Sequence, residues 1–172
     1  TKSRHIAIIG AGMGGLALAI ALQRAGYRCR IYEQAPALAK VGAGINVAPN
    51  STRIFRQLGL EDEMLAAGIR PREKYSRDSR SGAPMFSWPI KEVEVKYDAP
   101  FIAFHRGALQ EVLCDALRPD SLSFSKRLTN LRIGESGVDL MFEDGSSEFA
   151  DIVVGADGVH SRTRASLFPD VS

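Results

Sequence analysis

The chain has 172 residues, 45% of them hydrophobic and 24% charged, which suits one ordinary globular domain with a real core. Its 22 basic and 20 acidic residues leave a formal net charge of +2, arguing against a dedicated nucleic-acid binder with its concentrated positive face. No apolar stretch is long and uninterrupted enough to read as a membrane span, and neither Cys29 nor Cys114 sits in a CxxC or Cys/His cluster that would suggest zinc or redox chemistry.

In chain order, His5–Ile9 predicts a strand buried on both faces and closed by Gly10. Residues 12–25, rich in Ala and Leu, predict a helix with Gly26 at its C-terminal cap, and residues 28–33 predict a second strand. Strand, glycine turn, helix and strand in about 30 residues make a βαβ unit. The apolar run over residues 6–22 therefore reads as buried strand and helix, not as a signal sequence. Residues 35–50 are expected to form a loop, with Asn50 or Ser51 capping a short helix through Leu58 and a further helix over residues 61–67. Residues 72–104 read as interrupted strands, with a turn at 78–82 and breaks at Pro84, Pro89 and Pro100.

Leu109, Val112, Leu113 and Leu117 recur at helical spacing and predict a helix over residues 106–117. Residues 122–149 read as a β-meander with turns at 134–137 and at Asp144-Gly145. A buried strand over 151–155 and a helix opening at 162–168 complete the chain. Both cysteines, in a predicted strand and a predicted helix, are expected to be small buried apolar residues. A reduced, cytoplasmic compartment is the default expectation.

The strongest motif is Gly10-Ala11-Gly12-Met13-Gly14-Gly15, a GxGxxG between a predicted strand and a predicted helix. Gly10 permits the tight turn, Gly12 lets backbone approach a pyrophosphate, and Gly15 lets helix and strand pack closely. The helix N-terminus then offers N–H groups and partial positive charge to phosphates. Glu33, followed by Gln34, ends the second strand, where a carboxylate can accept bonds from both ribose hydroxyls and repels a 2′-phosphate. The fingerprint alone leaves FAD and NAD open.

Three further segments carry a resemblance. Residues 42–50, Gly-Ala-Gly-Ile-Asn-Val-Ala-Pro-Asn, include Gly42, Gly44 and Asn46; residues 104–109 read Phe-His-Arg-Gly-Ala-Leu; residues 151–164 contain Asp157-Gly158 after an apolar run. In order and spacing these resemble the flavin-flanking loop, the HR-x-x-L segment and the DG motif of group A flavoprotein monooxygenases. The likeness is to the N-terminal part of the salicylate hydroxylase and 6-hydroxynicotinate 3-monooxygenase type. Tyr75-Ser76-Arg77-Asp78 is similar to the latter group.

The resemblance implies an α/β fold: a Rossmann-like FAD-binding domain of the p-hydroxybenzoate hydroxylase type with an inserted β-meander. It implies that Gly44, Asn46, Arg106, Leu128 and Asp157 join the glycine loop around FAD. Arg106 would reach the ribityl chain or pyrophosphate, Leu128 would touch adenine through its backbone, and Asp157 would lie near the riboflavin. A guanidinium at a helix start opposes the helix dipole, which favours a ligand-binding reading of Arg106.

The implied reaction is hydroxylation of an activated aromatic or heteroaromatic acid, using NADH or NADPH and O2 through a flavin C4a-hydroperoxide. The protein's share is orientation, desolvation and charge. Hydroxynicotinate-type enzymes carry a histidine where this chain has Asn46, and asparagine cannot accept a proton at ordinary pH. No catalytic residue is assigned, and His5, His105 and His160 suggest neither a triad nor a metal site. The family's GDAAH-like last FAD motif and substrate-binding sheet do not occur before Ser172. Residues 1–172 are thus expected to be the FAD-binding segment of a longer enzyme, inactive alone, with room for a homodimer of the full-length protein. A nicotinamide-dependent dehydrogenase and a non-catalytic dinucleotide-binding module remain the competing readings.

Overall fold

The computed structural model of this chain describes residues 4–38 and 43–170; Thr1, Gly42 and Ser172 lie outside the described residues. In order the elements are β1 (His5–Ile9), α1 (Met13–Arg24), β2 (Arg28–Tyr32), β3 (Gly44–Val47), α2 (Pro49–Gln57), α3 (Glu61–Ala67), β4 (Glu73–Arg77), β5 (Pro84–Pro89) and α4 (Ile90–Tyr97). There follow β6 (Ile102–His105), α5 (Arg106–Asp115), β7 (Leu122–Ser123), β8 (Leu128–Ile133), β9 (Val138–Phe142), β10 (Ser147–Ala150), β11 (Ile152–Gly155) and α6 (Arg162–Leu167). Two compact units result, one from the described residues 4–38 and 113–170, the other from 43–112.

The first unit is built on a parallel sheet of order β11-β1-β2-β7. Residues 6–9 are all buried, as a strand covered on both faces requires. Helix α1 makes the crossover from β1 to β2 and buries Leu16, Ala19 and Ile20. It ends as expected at Gly26 (φ 87), where the Tyr27 N–H reaches the Leu22 carbonyl at 2.9 Å and the Gly26 N–H reaches Gln23 at 3.2 Å. Those two bonds form a Schellman motif, and the left-handed backbone at Gly26 favours glycine.

An antiparallel sheet of order β10-β9-β8 supplies the meander. Its Leu128, Leu140, Phe142 and Ala150 form one core cluster with Ala7, Ile9 and Tyr32 of the parallel sheet. The expected meander from residue 122 is corrected at its start. Leu122–Ser123 pairs parallel with β2, as Ile31↔Leu122 and Tyr32↔Ser123, and the meander begins at Leu128. Two residues carry too little pattern to reveal a parallel pairing. The cysteines are half-buried, not fully buried; the Cys29 thiol lies 3.6 Å from the Ala19 carbonyl, and burial pushes its pKa up.

The second unit departs further from expectation. Residues 35–50 do not form a continuous loop, because Gly44–Val47 is β3, paired antiparallel with β6. Helix α2 is capped at Ala48, not at Asn50 or Ser51, and carries Pro49 in its first turn. Proline's fixed φ and missing N–H suit that position, so it sets the start ahead of the polar residues. Residues 90–97 alternate like a strand but form α4, with Glu92 in the first turn and Lys96 in the last. Tertiary bonds favour this helix: Glu94 is ion-paired with Arg70 and accepts the Phe101 N–H at 2.9 Å. Helix α5 ends at Asp115, two residues short of Leu117.

One buried group in the first unit is unsatisfied: the Tyr32 hydroxyl finds no hydrogen-bond partner among the described residues. Its ring packs 5.0 Å from that of Phe142, and burial pushes its pKa up to about 12. An unpaired buried hydroxyl costs about 1–3 kcal/mol. Tyr32→Phe keeps the ring contact and removes the orphan, so the protein should unfold at an equal or higher temperature. A lowered melting temperature would reveal a partner for the hydroxyl.

Candidate functional site

The carboxyl ends of β1 and β11 lie side by side, registered through Ile9↔Gly155. The chain then turns sharply at Gly10 (φ 103), whose N–H donates to the Tyr32 carbonyl at 2.8 Å. A Cβ on Gly10 would sit 2.5 Å from the Ala156 carbonyl oxygen, and one on Gly15 would sit 2.1 Å from the Gly10 oxygen. These are backbone obstacles with no rotamer to relieve them. Gly12 and Gly14 differ: a Cβ on either meets nothing within 4 Å. Gly12 also caps α1, where no side chain accepts a capping bond and no acid occupies the first turn. An α-helix leaves its first N–H groups without partners of its own, so this end is suited to an anion.

Glu33 follows β2 and is half-buried. Its Oε2 accepts the Ala11 N–H at 2.7 Å and its Oε1 accepts the Ala35 N–H at 2.9 Å. Its backbone carbonyl takes the Lys126 N–H at 2.7 Å, bringing the chain just before β8 against the end of β2. Each carboxylate oxygen retains a second acceptor position. Gln34 is exposed beside it, and Leu128 is buried at the start of β8 in the cluster with Tyr32.

Asp157 follows β11 and is also engaged. Its Oδ1 accepts the Ser161 hydroxyl at 2.6 Å, and its Oδ2 accepts the Thr163 N–H at 3.0 Å and the Thr163 hydroxyl at 3.2 Å. Burial alone would push its pKa up; the Ser161 and Thr163 bonds outweigh that and hold it below the ordinary value. Ser161 in turn caps α6 by accepting the Arg164 N–H at 2.9 Å. Gly155 completes this corner, since a Cβ there would lie 2.8 Å from the Thr163 methyl. Sequence reading missed Ser161 and Thr163; the signal was a serine capping a helix four residues after an aspartate.

In the second unit the β3–β6 register sets Gly44 opposite His105 and Asn46 opposite Ala103. Arg106 follows at the first position of α5, its N–H donating to the Ala43 carbonyl at 3.3 Å. Asn46 and Arg106 are both exposed. No hydrogen bond or ion pair among the described residues holds the Arg106 guanidinium. His105 is exposed, and its Nδ1 accepts the Gly107 N–H at 3.2 Å. Gly10, Gly12, Gly14, Gly15, Glu33, Gln34, Leu128 and Asp157 thus belong to the first unit, and Gly44, Asn46 and Arg106 to the second.

Residues 3–170 match the family model described as FAD binding domain. The chain is 46% identical over 164 residues to 6-hydroxynicotinate 3-monooxygenase of Bordetella bronchiseptica, covering 95% of this chain and 43% of that protein. It is 39% identical over 167 residues to 3-amino-4-hydroxybenzoate 2-monooxygenase of Streptomyces cremeus, covering 96% of this chain and 42% of that one. Among solved structures, Klebsiella pneumoniae HpxO complexed with FAD and uric acid superposes with a TM-score of 0.86 at 34% identity, over 94% of this chain and 41% of its own. The chain therefore spans less than half the length of the relatives it matches.

Asp157 gives a pH prediction. Its folded pKa is depressed, so its bonds to Ser161 and Thr163 stabilise the protein above the ordinary aspartate range, about 3.9. That contribution is lost as pH falls through and below this range. Asp157→Asn should lower stability at neutral pH and flatten the acid limb of the profile. An unchanged acid limb in thermal melts of the variant would show that Asp157 is not coupled to folding.

Proposed function

The chain belongs to the FAD binding domain family, and from that premise we propose that it is the cofactor-binding segment of a flavin-dependent monooxygenase. The proposed reaction is hydroxylation of an activated aromatic or heteroaromatic acid, with NADH or NADPH as reductant and O2 as co-substrate. The hydroxynicotinate and aminohydroxybenzoate in the names of its relatives support that substrate class. The substrate-binding part and a last FAD motif would lie elsewhere in the full polypeptide. The reading includes a cytoplasmic enzyme, with homodimer formation to be decided by sedimentation of the full polypeptide. Among the described residues, no helix is long and apolar enough to cross a membrane.

The observation that carries the reading is the open space above Gly12 and Gly14 at an α1 terminus free of side-chain caps. A pyrophosphate fits there: backbone can approach it closely, N–H groups face it, and no carboxylate of the first turn repels it. We assign the pyrophosphate to Gly10, Gly12, Gly14 and Gly15, and the adenosine ribose to the remaining acceptor positions of Glu33, with Gln34 beside it. Leu128 would meet the adenine through its backbone. Gly44, Asn46, Arg106 and Asp157 would serve the ribityl and flavin portion.

Bound flavin supplies oxygen activation after reduction by the nicotinamide. Arg106 would donate charge-assisted bonds to an anionic or ribityl oxygen. Asn46 would donate its amide N–H to a flavin carbonyl or a substrate oxygen, and is unsuited to removing a phenolic proton. Asp157, already accepting from Ser161 and Thr163, would hold the turn before α6 in a fixed position.

Two glycine variants separate folding from binding. Gly15→Ala forces a Cβ against backbone and should destabilise the protein by about 1–3 kcal/mol or more. Gly12→Ala meets no protein atom and, as a poorer helix cap, should cost no more than about 1 kcal/mol of stability, yet it should retain little flavin after desalting. Full flavin retention in Gly12→Ala would remove the pyrophosphate from this loop.

Arg106 tests the assignment of the second unit. A charge-assisted bond is worth roughly 1.5–3 kcal/mol, which is about ten- to a hundred-fold in affinity. In FAD titrations of the full-length apoprotein, Arg106→Ala should show that loss. Arg106→Lys should recover only part of it, because a point charge cannot reproduce the guanidinium fork. Equal affinities in all three proteins would withdraw Arg106 from the cofactor site. Activity itself is tested with full-length protein, NADH or NADPH and hydroxylated ring acids, reading product mass. Nicotinamide oxidation without an added oxygen atom in any product would refute the hydroxylase reading.

A further inference from the structure

The parallel sheet has a second polar end. A cavity of about 420 Å³ is lined by His5, Arg28, Arg30, Arg118, Asp120 and Ser121, among others. His5 and Arg28 begin β1 and β2, so this cavity opens at the amino ends of strands whose carboxyl ends carry the glycine loop. Five residues at about 3.3 Å each put roughly 15 Å between the two ends.

Its floor is constructed around a buried polar residue. Gln23, only 5% exposed in the last turn of α1, contributes nothing to an apolar core. Its Oε1 accepts the Arg118 N–H at 2.9 Å, and its Nε2 donates to the Ser121 hydroxyl at 2.8 Å. The Gln23 carbonyl accepts a guanidinium N–H of Arg118 at 2.7 Å. One side chain thereby holds both ends of the turn at 118–121. Most of the Arg118 fork is left over, since a guanidinium has five N–H donors.

Positive charge predominates at this cavity. The Arg28 guanidinium has no hydrogen-bond or ion-pair partner among the described residues. Arg30 donates to the Ser123 hydroxyl at 3.0 Å and lies 3.9 Å from Glu148, a loose contact. Asp120 is the lining carboxylate, and nearby Asp151 is engaged by the His5 N–H at 2.6 Å. Capping of α1 by Arg118 is sufficient reason for that one residue. It does not account for Arg28 and Arg30 at the same mouth, where three guanidiniums face one lining carboxylate, Asp120, and leave an excess of positive charge for an anion to neutralise.

We infer that this cavity is a second ligand site, taking an oxyanion (phosphate or carboxylate) carried on a small organic body. Guanidinium forks match the planar or tetrahedral oxygens of such groups with paired N–H bonds. The volume falls in the range of small-molecule sites, beyond what a bare oxyanion fills. Tyr27, 51% exposed in the lining, offers a ring face for the organic part. This inference is independent of the monooxygenase reading.

The test is calorimetry on the full-length protein with excess FAD, so that the cofactor site is occupied. Pyrophosphate and citrate are titrated separately as the phosphate and carboxylate probes. At least one should bind, more weakly as salt is added, and roughly ten-fold more weakly in Arg28→Gln and in Arg118→Gln. Flavin absorbance per protein should stay unchanged in Arg28→Gln, whose side chain holds nothing else in place. Binding of pyrophosphate alone identifies a phosphate ligand, and of citrate alone a carboxylate. Heat from neither probe, or equal affinity in wild type and Arg28→Gln, overturns the inference.

Discussion

The cofactor end of the first unit depends on one close approach of backbone to backbone, at Gly10, Gly15 and Ala156. Strands β11 and β1 finish side by side, and α1 must leave immediately above them. The only volume available for that turn is the volume of two missing Cβ atoms, each of which would fall 2.1–2.5 Å from a carbonyl oxygen. No side-chain rotation can relieve such an overlap, so the turn exists only with glycine at both positions. Everything described at this end follows from that contact. It sets where α1 begins, how near the Asp157 turn lies, and which N–H groups face outward.

The four glycines of the fingerprint therefore divide into two physical classes. Gly10 and Gly15 are demanded by the fold. Gly12 and Gly14 are not, since a methyl group at either would touch no protein atom. Gly12, at the cap, is better tolerated than alanine would be, whereas Gly14, inside the first turn, costs about 0.5–1 kcal/mol relative to alanine. Gly14 thus costs stability and satisfies no internal constraint, as the proposed close approach of a phosphate to this backbone would require. Glu33 shows the opposite economy, since one carboxylate braces the loop at Ala11 and Ala35 while keeping acceptor positions for a ligand. Its charge does structural work even in the absence of cofactor. A glutamine there would present one acceptor and one donor to two N–H groups, which disturbs the loop as well as the proposed ribose contact.

Much of this was legible in the sequence because the governing rules are local. A continuous apolar run, a glycine turn, an Ala/Leu helix closed by Gly26 and a second strand are each specified within a few residues. The turns at Gly82 (φ 70) and Gly145 (φ 81) were legible for the same reason, since they need a positive φ. What was not legible depends on distant partners. Residues 90–97 alternate in the manner of a strand and become helical because Glu94 meets Arg70 and the Phe101 N–H. Leu122–Ser123 joins the parallel sheet through β2, and Gly44–Val47 becomes a strand through β6. At the site, the glycine loop and Glu33 were readable as chemistry, whereas the engagement of Asp157 by Ser161 and Thr163 required the fold.

The two ends of α1 are satisfied very differently. Its carboxyl end is satisfied several times over: the Schellman bonds of Gly26 and Tyr27, Arg24 in the last turn, and the Arg118 guanidinium on the Gln23 carbonyl. Its amino end has Gly12 as cap, no side-chain acceptor and no acid in the first turn. A serine, threonine or aspartate cap is worth about 1 kcal/mol, and an acid in the first turn adds several tenths more. A helix shaped for stability alone would take both. Those same groups would occupy the space and repel the charge of a pyrophosphate. Leaving one end bare while the other is fully bonded is the arrangement expected where an anion completes the helix, and it fits the run of glycine at the turn from β1 into α1.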